Sequence, residues 1–247
     1  MNFSNKNVVI AGGSQGIGLA TAKAFIQQGA NVLITGRNPE TLQKAAKEID
    51  SANLQTLAAD TSNMTGIAAL EKWVAESGKK VDVLYLNAAI GIYAPIQHVT
   101  EADFDAQFNT NVKGHFFTLQ KLIPHLADGA SVIFTSSRVA AAAGVASSVY
   151  SATKAALNKI ADIAVNELAE RKIRINVVSP GPIQTPGLLT VASEEIQDYL
   201  ASRSALNRLG NAHEVANVVL FLASDGAAYI NGADIAVDGG SIQFMLK

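Results

Sequence analysis

Cysteine is absent from all 247 residues, which excludes disulfides and thiolate metal sites and is compatible with a reducing compartment. Charge is also sparse. Only 16% of residues are Asp, Glu, Lys or Arg, and the formal net charge is -2, so an electrostatic nucleic-acid or membrane surface is not expected. No run reaches about 18 consecutive apolar residues, so no transmembrane helix is expected either. The opening "MNFSNKNVVIAGG" lacks a long apolar stretch, so no signal peptide is expected and a cytoplasmic protein is. His98, His115, His125 and His213 are scattered without paired carboxylates, and no metal site is expected. The chain also lacks internal repeats, low-complexity tracts and any stretch resembling a linker, so one domain over 1–247 is the expectation.

What is abundant is apolar. Hydrophobic residues make up 49% of the chain, and many are Ala, Val and Ile, which suits a sheet covered on both faces. Short apolar runs alternate with longer helical ones. Strands are expected at 7–11, 31–35, 54–59, 81–87, 130–136, 173–179 and 234–240. Helices are expected at 16–28, 39–49, around Trp73, at 101–126 with a break near Asn111, from Tyr150 to 170, and at 211–223. Strand and helix in repeated alternation imply parallel strands joined by right-handed crossovers. The fold class is therefore α/β: a Rossmann-type, doubly wound parallel sheet with helices on both faces, whose ligands bind beyond the C-terminal strand ends.

The first such end is "AGGSQGIG" (11–18), in which Gly12, Gly16 and Gly18 give G-x-x-x-G-x-G. Glycines suit a chain that turns sharply and approaches a pyrophosphate, and the following helix start offers unpaired N–H groups. A ligand-free strand–helix turn has the same letters. So does a nucleophile elbow, G-x-S-x-G, which would make Ser14 the nucleophile of a serine hydrolase. Only eleven residues precede that motif, too few for the strands before an elbow, and the late histidine would have to be His213 on a surface helix.

The second strand ends in "ITGRN" (34–38). Where an acid would bond the ribose 2′-OH of NAD, Gly36 and Arg37 stand, and an arginine attracts a 2′-phosphate. Ser14 and Asn38 are expected to add neutral donors.

"VYSATKAAL" (149–157) places Tyr150 and Lys154 four positions apart, on one face of a helix. Alone, the pair reads equally as a half-buried tyrosine and a surface lysine. In company it does not. A serine stands thirteen positions before the tyrosine, at Ser137; Asn111 sits in "NTNVKG"; "SPGPIQT" spans 179–185 and "VDGG" spans 237–240. In this order and spacing, over nearly the whole chain, the sequence resembles the short-chain dehydrogenases/reductases, most closely the ketoacyl-carrier-protein reductase and carbonyl reductase members. Two places depart from the family pattern. Ala11 replaces a threonine, and the fourth strand ends Leu86-Asn87-Ala88-Ala89 rather than N-N-A-G. An apolar strand-to-strand tie is expected there.

The resemblance implies catalytic roles for Asn111, Ser137, Tyr150 and Lys154. Tyr150 would be the general acid in reduction and the base in oxidation. Lys154 would bond the nicotinamide ribose and lower the tyrosine pKa from about 10, and three units would require roughly 4 kcal/mol. Ser137, rather than its neighbour Ser136 on the opposite strand face, would bond the substrate oxygen, and Asn111 would hold a water linking Lys154 to solvent. The resemblance also implies that the cofactor lies on Gly12, Ser14, Gln15, Gly16, Ile17 and Gly18, with Arg37 and Asn38 at its phosphate. Asp60 and Thr61 would meet the adenine, Asn87 and Ala88 the adenosine ribose. The Ile183 backbone and Thr185 would bond the carboxamide, and Pro180 and Gly181 would shape that turn. His98 and Tyr93 read as surface or packing residues.

The expected protein is thus an NADP(H)-dependent oxidoreductase interconverting a ketone or aldehyde and an alcohol, assembled as a homotetramer. Its partner is a small-molecule carbonyl or alcohol, not nucleic acid or membrane. A lid is expected over about 186–205, with Leu188, Leu189, Val191, Ile196, Tyr199 and Leu200 as an apolar wall. A non-catalytic redox sensor of the same fold is the rival from another class, although a sensor has no need of a proton donor.

Overall fold

Alternate residues of the strands part to opposite sides of one sheet, and each set finds a core of its own. The computed structural model, which describes residues 1–142 and 144–241, gathers Val9, Leu33, Leu84, Val132 and Ile175 into one buried cluster. Val8, Ile10, Val32, Ile34, Val83 and Ile133 form the other. A period of two produces this division, and helices on both faces make both halves apolar.

In chain order the elements are β1 (Asn7–Ala11), α1 (Gly16–Gln27), β2 (Asn31–Gly36), α2 (Pro39–Ile49), β3 (Leu54–Ala58), α3 (Met64–Glu76) and β4 (Val81–Leu86). Then come α4 (Glu101–Phe108), α5 (Gly114–Leu122), β5 (Leu126–Thr135), α6 (Ser148–Glu167) and β6 (Arg174–Pro180). The short β7 (Ile183–Gln184), α7 (Pro186–Val191), α8 (Glu194–Ser202), β8 (Gly210–Asn211), α9 (Ala212–Ala223) and β9 (Asp234–Val237) complete the described chain. Seven strands make a parallel sheet in the order β3-β2-β1-β4-β5-β6-β9, and β7 pairs with β8 apart from it. The order reverses at β1, which pairs with both β2 and β4, and a crevice opens at such a reversal.

On one face α3, α5 and α6 contribute Leu70, Val74, Leu119, Leu122, Leu157 and Ala161 to the core. On the other, α1 and α9 contribute Ala22, Phe25, Val215 and Val219. Burying a side chain such as Ile10 or Phe25, both fully enclosed, contributes about 1.5–3 kcal/mol.

Several boundaries differ from the sequence expectation. The helix expected over 101–126 is interrupted by a π-helical turn at Asn109–Lys113, around the anticipated Asn111. It ends at Leu122, because Pro124 follows in a 3₁₀ turn and lacks a donor N–H. The fifth strand starts at Leu126 rather than 130, through a register jump opposite Val81 and Val83. The last strand stops at Val237, before Gly239 and Gly240 adopt positive φ. The expected lid region contains α7 and α8; within it the Val191 side chain lies outside the described residues.

Candidate active site

All the strands of the main sheet run in parallel, so the motifs that follow β1 through β6 lie along one edge. Gly12–Gly18, Arg37, Asp60, Asn87, Ser137 and Gly181 each follow a different one of these strands. Tyr150 and Lys154 reach the same edge from α6, packed beside β6 and the turn after β5.

The start of α1 lacks the side-chain cap that α2, α3 and α4 carry. Asn38 caps α2, Asn63 caps α3 and Thr100 caps α4, each accepting hydrogen bonds from backbone N–H groups. Gln15 precedes α1 with no side-chain cap, and the first turn carries no acid. The N–H groups of Gly16, Ile17 and Gly18 at that start have no partner within the helix and are available to an anion. Glycine is required around them. Gly12 has φ +84°, and a Cβ on it would lie 2.6 Å from Ala88. A Cβ on Gly18 would lie 2.0 Å from the Gly12 carbonyl oxygen. A Cβ on Gly16 would meet the Thr185 methyl at 3.3 Å, so the 180–185 segment closes over the glycine turn.

The strand-to-strand tie expected to be apolar is polar. Ala11 has no hydroxyl, but Asn87 donates its backbone N–H to the Ala11 carbonyl at 3.0 Å and its Nδ2 to the Gly12 carbonyl at 2.8 Å. Asn87 Oδ1 in turn accepts from Tyr85 and Thr135 hydroxyls at 3.2 and 2.9 Å.

At the end of β2 the Ser14 hydroxyl lies against Gly36, where a Cβ would come within 2.9 Å of its oxygen. Arg37, Asn38, Pro39 and Glu40 line an open hollow beside it. Among the described residues Arg37 forms no ion pair. Asn38 Oδ1 is committed to capping α2, accepting from Glu40 and Thr41 N–H at 2.7 and 3.2 Å, so only its amide N–H groups can serve a phosphate. Asp60 Oδ1 accepts from Ser62 N–H at 3.0 Å, and Thr61 is buried against α5, where Gly114 comes close to its carbonyl. No hydrogen bond among the described residues joins Ser14 to a histidine, and His213 is exposed on α9, so a hydrolytic triad is not formed.

The second group is assembled between β5 and α6. Just past the end of β5, Ser136 is buried and Ser137 is half-buried. Ser137 Oγ accepts from Val139 N–H at 3.4 Å and faces the Tyr150 phenol. Lys154 is fully buried and donates to the Thr135 carbonyl at 2.8 Å, with its Nζ 5.7 Å from the Tyr150 ring centre. An ammonium carries three N–H groups, so two remain for a ligand. Asn111 is fully buried, accepts from Ile90 N–H at 2.9 Å, and donates to the Ile90 carbonyl at 2.8 Å and to Thr153 Oγ1 at 3.1 Å. Both of its amide hydrogens are therefore used, and Oδ1 has accepted one bond.

Electrostatically the chain does the opposite of what the Tyr150–Lys154 pair led us to expect. Burial pushes the Tyr150 phenol up, the neighbouring Tyr93 phenol adds to the rise, and Ser137 opposes it. Burial lowers Lys154 to about 7. With no anion beside either group, desolvation penalises the charged form of each.

Some residues of the site carry no local motif. Tyr93, read from the sequence as surface or packing, tilts its ring at 57° over Tyr150 with centroids 5.5 Å apart. Its loop is pinned by buried Gln107, which accepts from Ile92 N–H at 3.1 Å, and by Ala94 N–H donating to Ala146 at 2.9 Å. His115 is fully buried against Phe134, close to the carbonyls of Asn111 and Ala88, and burial lowers its pKa to about 3. The alternating residues of the 88–94 loop and the i+4 spacing of Asn111 and His115 were the signals available.

A glycine-opened helix at the sheet's reversal, with a buried lysine and a tyrosine at the next strand ends, defines a dinucleotide-binding α/β oxidoreductase. The profile of the family described as enoyl-(acyl carrier protein) reductase matches residues 11–241. An oxidoreductase of Methylorubrum extorquens is 38% identical over 96% of this chain and 98% of its own. The 3-oxoacyl-[acyl-carrier-protein] reductase of Thermotoga maritima is 33% identical over 98% of this chain and all of its own, 100%. A short chain dehydrogenase from Burkholderia cenocepacia, crystallised in complex with NADP, superposes with a TM-score of 0.92 at 30% identity, covering 98% of this chain and 100% of that one. The chain belongs to the short-chain dehydrogenase/reductase family and is an NAD(P)(H)-dependent oxidoreductase.

Proposed function

We propose that the chain interconverts a ketone or aldehyde and an alcohol with NADP(H), with Tyr150 as the proton donor in reduction. The observation that carries this reading is Lys154: a fully enclosed lysine whose Nζ makes one hydrogen bond among the described residues, beside a tyrosine that faces a serine. Such a lysine is costly to bury without a ligand for its remaining N–H groups. A ribose diol fits them.

The residues fit the dinucleotide along the whole edge. The uncapped start of α1 would hold the pyrophosphate through the backbone of Ser14–Gly18. Arg37, Ser14 and the Asn38 amide would hold a 2′-phosphate, and the NADP complex of the Burkholderia relative supports that choice. Asp60 and Thr61 would adjoin the adenine, Asn87 and Ala88 the adenosine ribose, and the Ile183 backbone and Thr185 the carboxamide, on a turn shaped by Pro180 and Gly181. When bound, the nicotinamide supplies the hydride in reduction and accepts it in oxidation.

The chain's own residues handle the proton. Ser137 Oγ accepts from Val139 N–H and keeps its own O–H to donate to the substrate oxygen. Tyr150, held protonated by burial, gives its proton to that oxygen as it gains charge. The raised phenol pKa favours the reduction direction near neutral pH. Leu189, Ile196 and Tyr199 on α7 and α8 remain exposed and would cover an apolar substrate as a lid over about 186–205 of the single domain. The active form would be a tetramer.

Tyr150→Phe tests the central role. It keeps the ring and removes the proton, so ketone reduction should fall about 10²–10⁴-fold while NADPH titration is unchanged. Parent-like reduction by this variant would move the proton donor elsewhere. Arg37→Ala tests the cofactor: it should weaken NADPH binding by about 1.5–3 kcal/mol and leave NADH binding unaltered. Equal affinity of the parent for both would defeat the NADP assignment.

A further inference from the structure

Arg138, next to Ser137, forms an ion pair with Asp238 from the far end of the chain: Nε lies 2.8 Å from Oδ2 without the alignment of a hydrogen bond, and the two side chains are only 17% and 7% exposed. Such a pair, largely out of water, is expensive to build and strongly destabilising to break on one side only. Its surroundings indicate what it does. Arg138 is the first residue of the 3₁₀ turn Arg138–Ala140 that Ser137 caps. Fixing that turn fixes Val139 N–H, which donates to Ser137 Oγ at 3.4 Å and so helps hold the position of the serine oxygen.

Asp238, for its part, opens the turn at the end of β9. Its Oδ1 accepts from Gly240 N–H at 2.9 Å, and the next residue, Gly239, turns its carbonyl to the end of the α8 segment. That carbonyl accepts from Ser204 Oγ at 3.0 Å and from Leu206 N–H at 3.3 Å. Asp238 also touches the segment after β6. A Cβ on Gly181 would lie 2.8 Å from Asp238 Cβ, and Gly181 N–H donates to the Val237 carbonyl at 3.0 Å. Three segments separated in sequence thus meet around the Val237–Gly239 turn: the Ser137 turn at the Asp238 carboxylate, the Pro180–Gly181 bend at Val237 and Asp238, and the segment that follows α8 at the Gly239 carbonyl.

We propose that Arg138 and Asp238 are a positioning pair, a clasp that registers the end of the 186–205 segment against the Ser137 hydroxyl. Seating of α7 and α8 is thereby coupled to the orientation of the group that bonds the substrate oxygen. Neither residue touches the reacting atoms; both act through Ser137, and the inference rests on the role given to Ser137 above.

Arg138→Met and Asp238→Asn should lower kcat on the order of tenfold to a hundredfold, the scale of a small misplacement at a reacting centre. Dinucleotide affinity should stay within about twofold of the parent, because the glycine turn and Lys154 are untouched. Arg138→Lys, which keeps a cation for Asp238, should recover most of kcat. In a Ser137→Ala background, Arg138→Met should add less than about a further twofold loss, since its effect passes through the missing hydroxyl. Losses that multiply across the two sites, or no rescue by lysine, would reduce the pair to general stability and overturn the proposal. A second readout needs no turnover: trypsin should cut after Arg203 several times faster in Arg138→Met than in the parent, by local opening of the hinge. An unchanged cleavage rate would overturn the coupling to the hinge. If Ser137→Ala turned over at the parent rate, the assignment of Ser137 would fall, and trypsin alone would decide whether the pair holds the hinge.

Discussion

Lys154 is enclosed by protein yet is expected to be charged when the site is full, and that tension is measurable in the free chain. Burial lowers its pKa from 10.5 to about 7. Between those values an unfolded chain binds the lysine proton and the folded one does not. Stability must therefore rise with pH across that window, with the full penalty present below it. Lys154→Met removes the group, so the rise in melting temperature from pH 7 to pH 10 should be smaller in the variant than in the parent; identical profiles would mean that the lysine is not desolvated. Tyr150 is pushed in the other direction, and Tyr93 is its second cause after burial. Tyr93→Phe keeps the tilted ring and removes the neighbouring phenol. The alkaline limb of alcohol oxidation should then move to lower pH, read from kcat/KM against pH with one accepted alcohol. A limb that stays in place would leave burial as the sole cause.

At the scale of elements, the β1–α1 turn has no spare room. Gly18→Ala places a methyl about where the Gly12 carbonyl oxygen stands, 2.0 Å from it, and Gly12 at φ +84° packs on the Ala88 backbone and cannot retreat. Overpacking of this kind costs typically about 1–3 kcal/mol, and the displaced turn would also spoil the anion site. Lower thermal stability together with weak dinucleotide titration is the expected pair of results; a parent-like melt would show the turn to be more compliant than its geometry. This turn was legible in the sequence because its glycines are local, as were the strands, whose apolar runs alternate between two cores. The end of α5 was not, because the fifth strand begins directly after the Pro124 turn and pairs Leu126 out of register with the rest of the strand. Nor were the polar ties. Asn111 announced itself by a family motif, but its partner Thr153, the Gln107 bond to Ile92 and the Tyr85–Thr135 bond depend on residues brought together from distant elements or turns. The Arg138–Asp238 contact spans a hundred positions with no pattern at either end that names the other.

The whole molecule leaves apolar side chains outside both cores, and they are not scattered evenly. Phe104 on α4, Phe116 on α5 and Ile163 on α6 are 45%, 42% and 50% exposed, on helices that share one face of the sheet. Phe104 stacks on Phe108 with centroids 4.5 Å apart, and Phe116 meets Phe117 edge-on at 5.2 Å, so these rings are already ordered rather than free to fold inward. A rigid apolar face is suited to a two-fold contact with its own copy, in which each side chain is used twice. The proposed tetramer makes this concrete. Phe116→Glu would place two carboxylates across such an axis for every one introduced, in a region from which water is withdrawn. Desolvation and mutual repulsion should weaken the contact by on the order of a hundredfold, the scale of a lost interface anchor. Light scattering at micromolar concentration should report a tetramer for the parent and a smaller species for the variant. Because Phe116 lies outside both buried clusters, the monomer's far-ultraviolet circular dichroism should not change. A monomeric parent would contradict the assembly, and a variant that stays tetrameric would place the contact on another face.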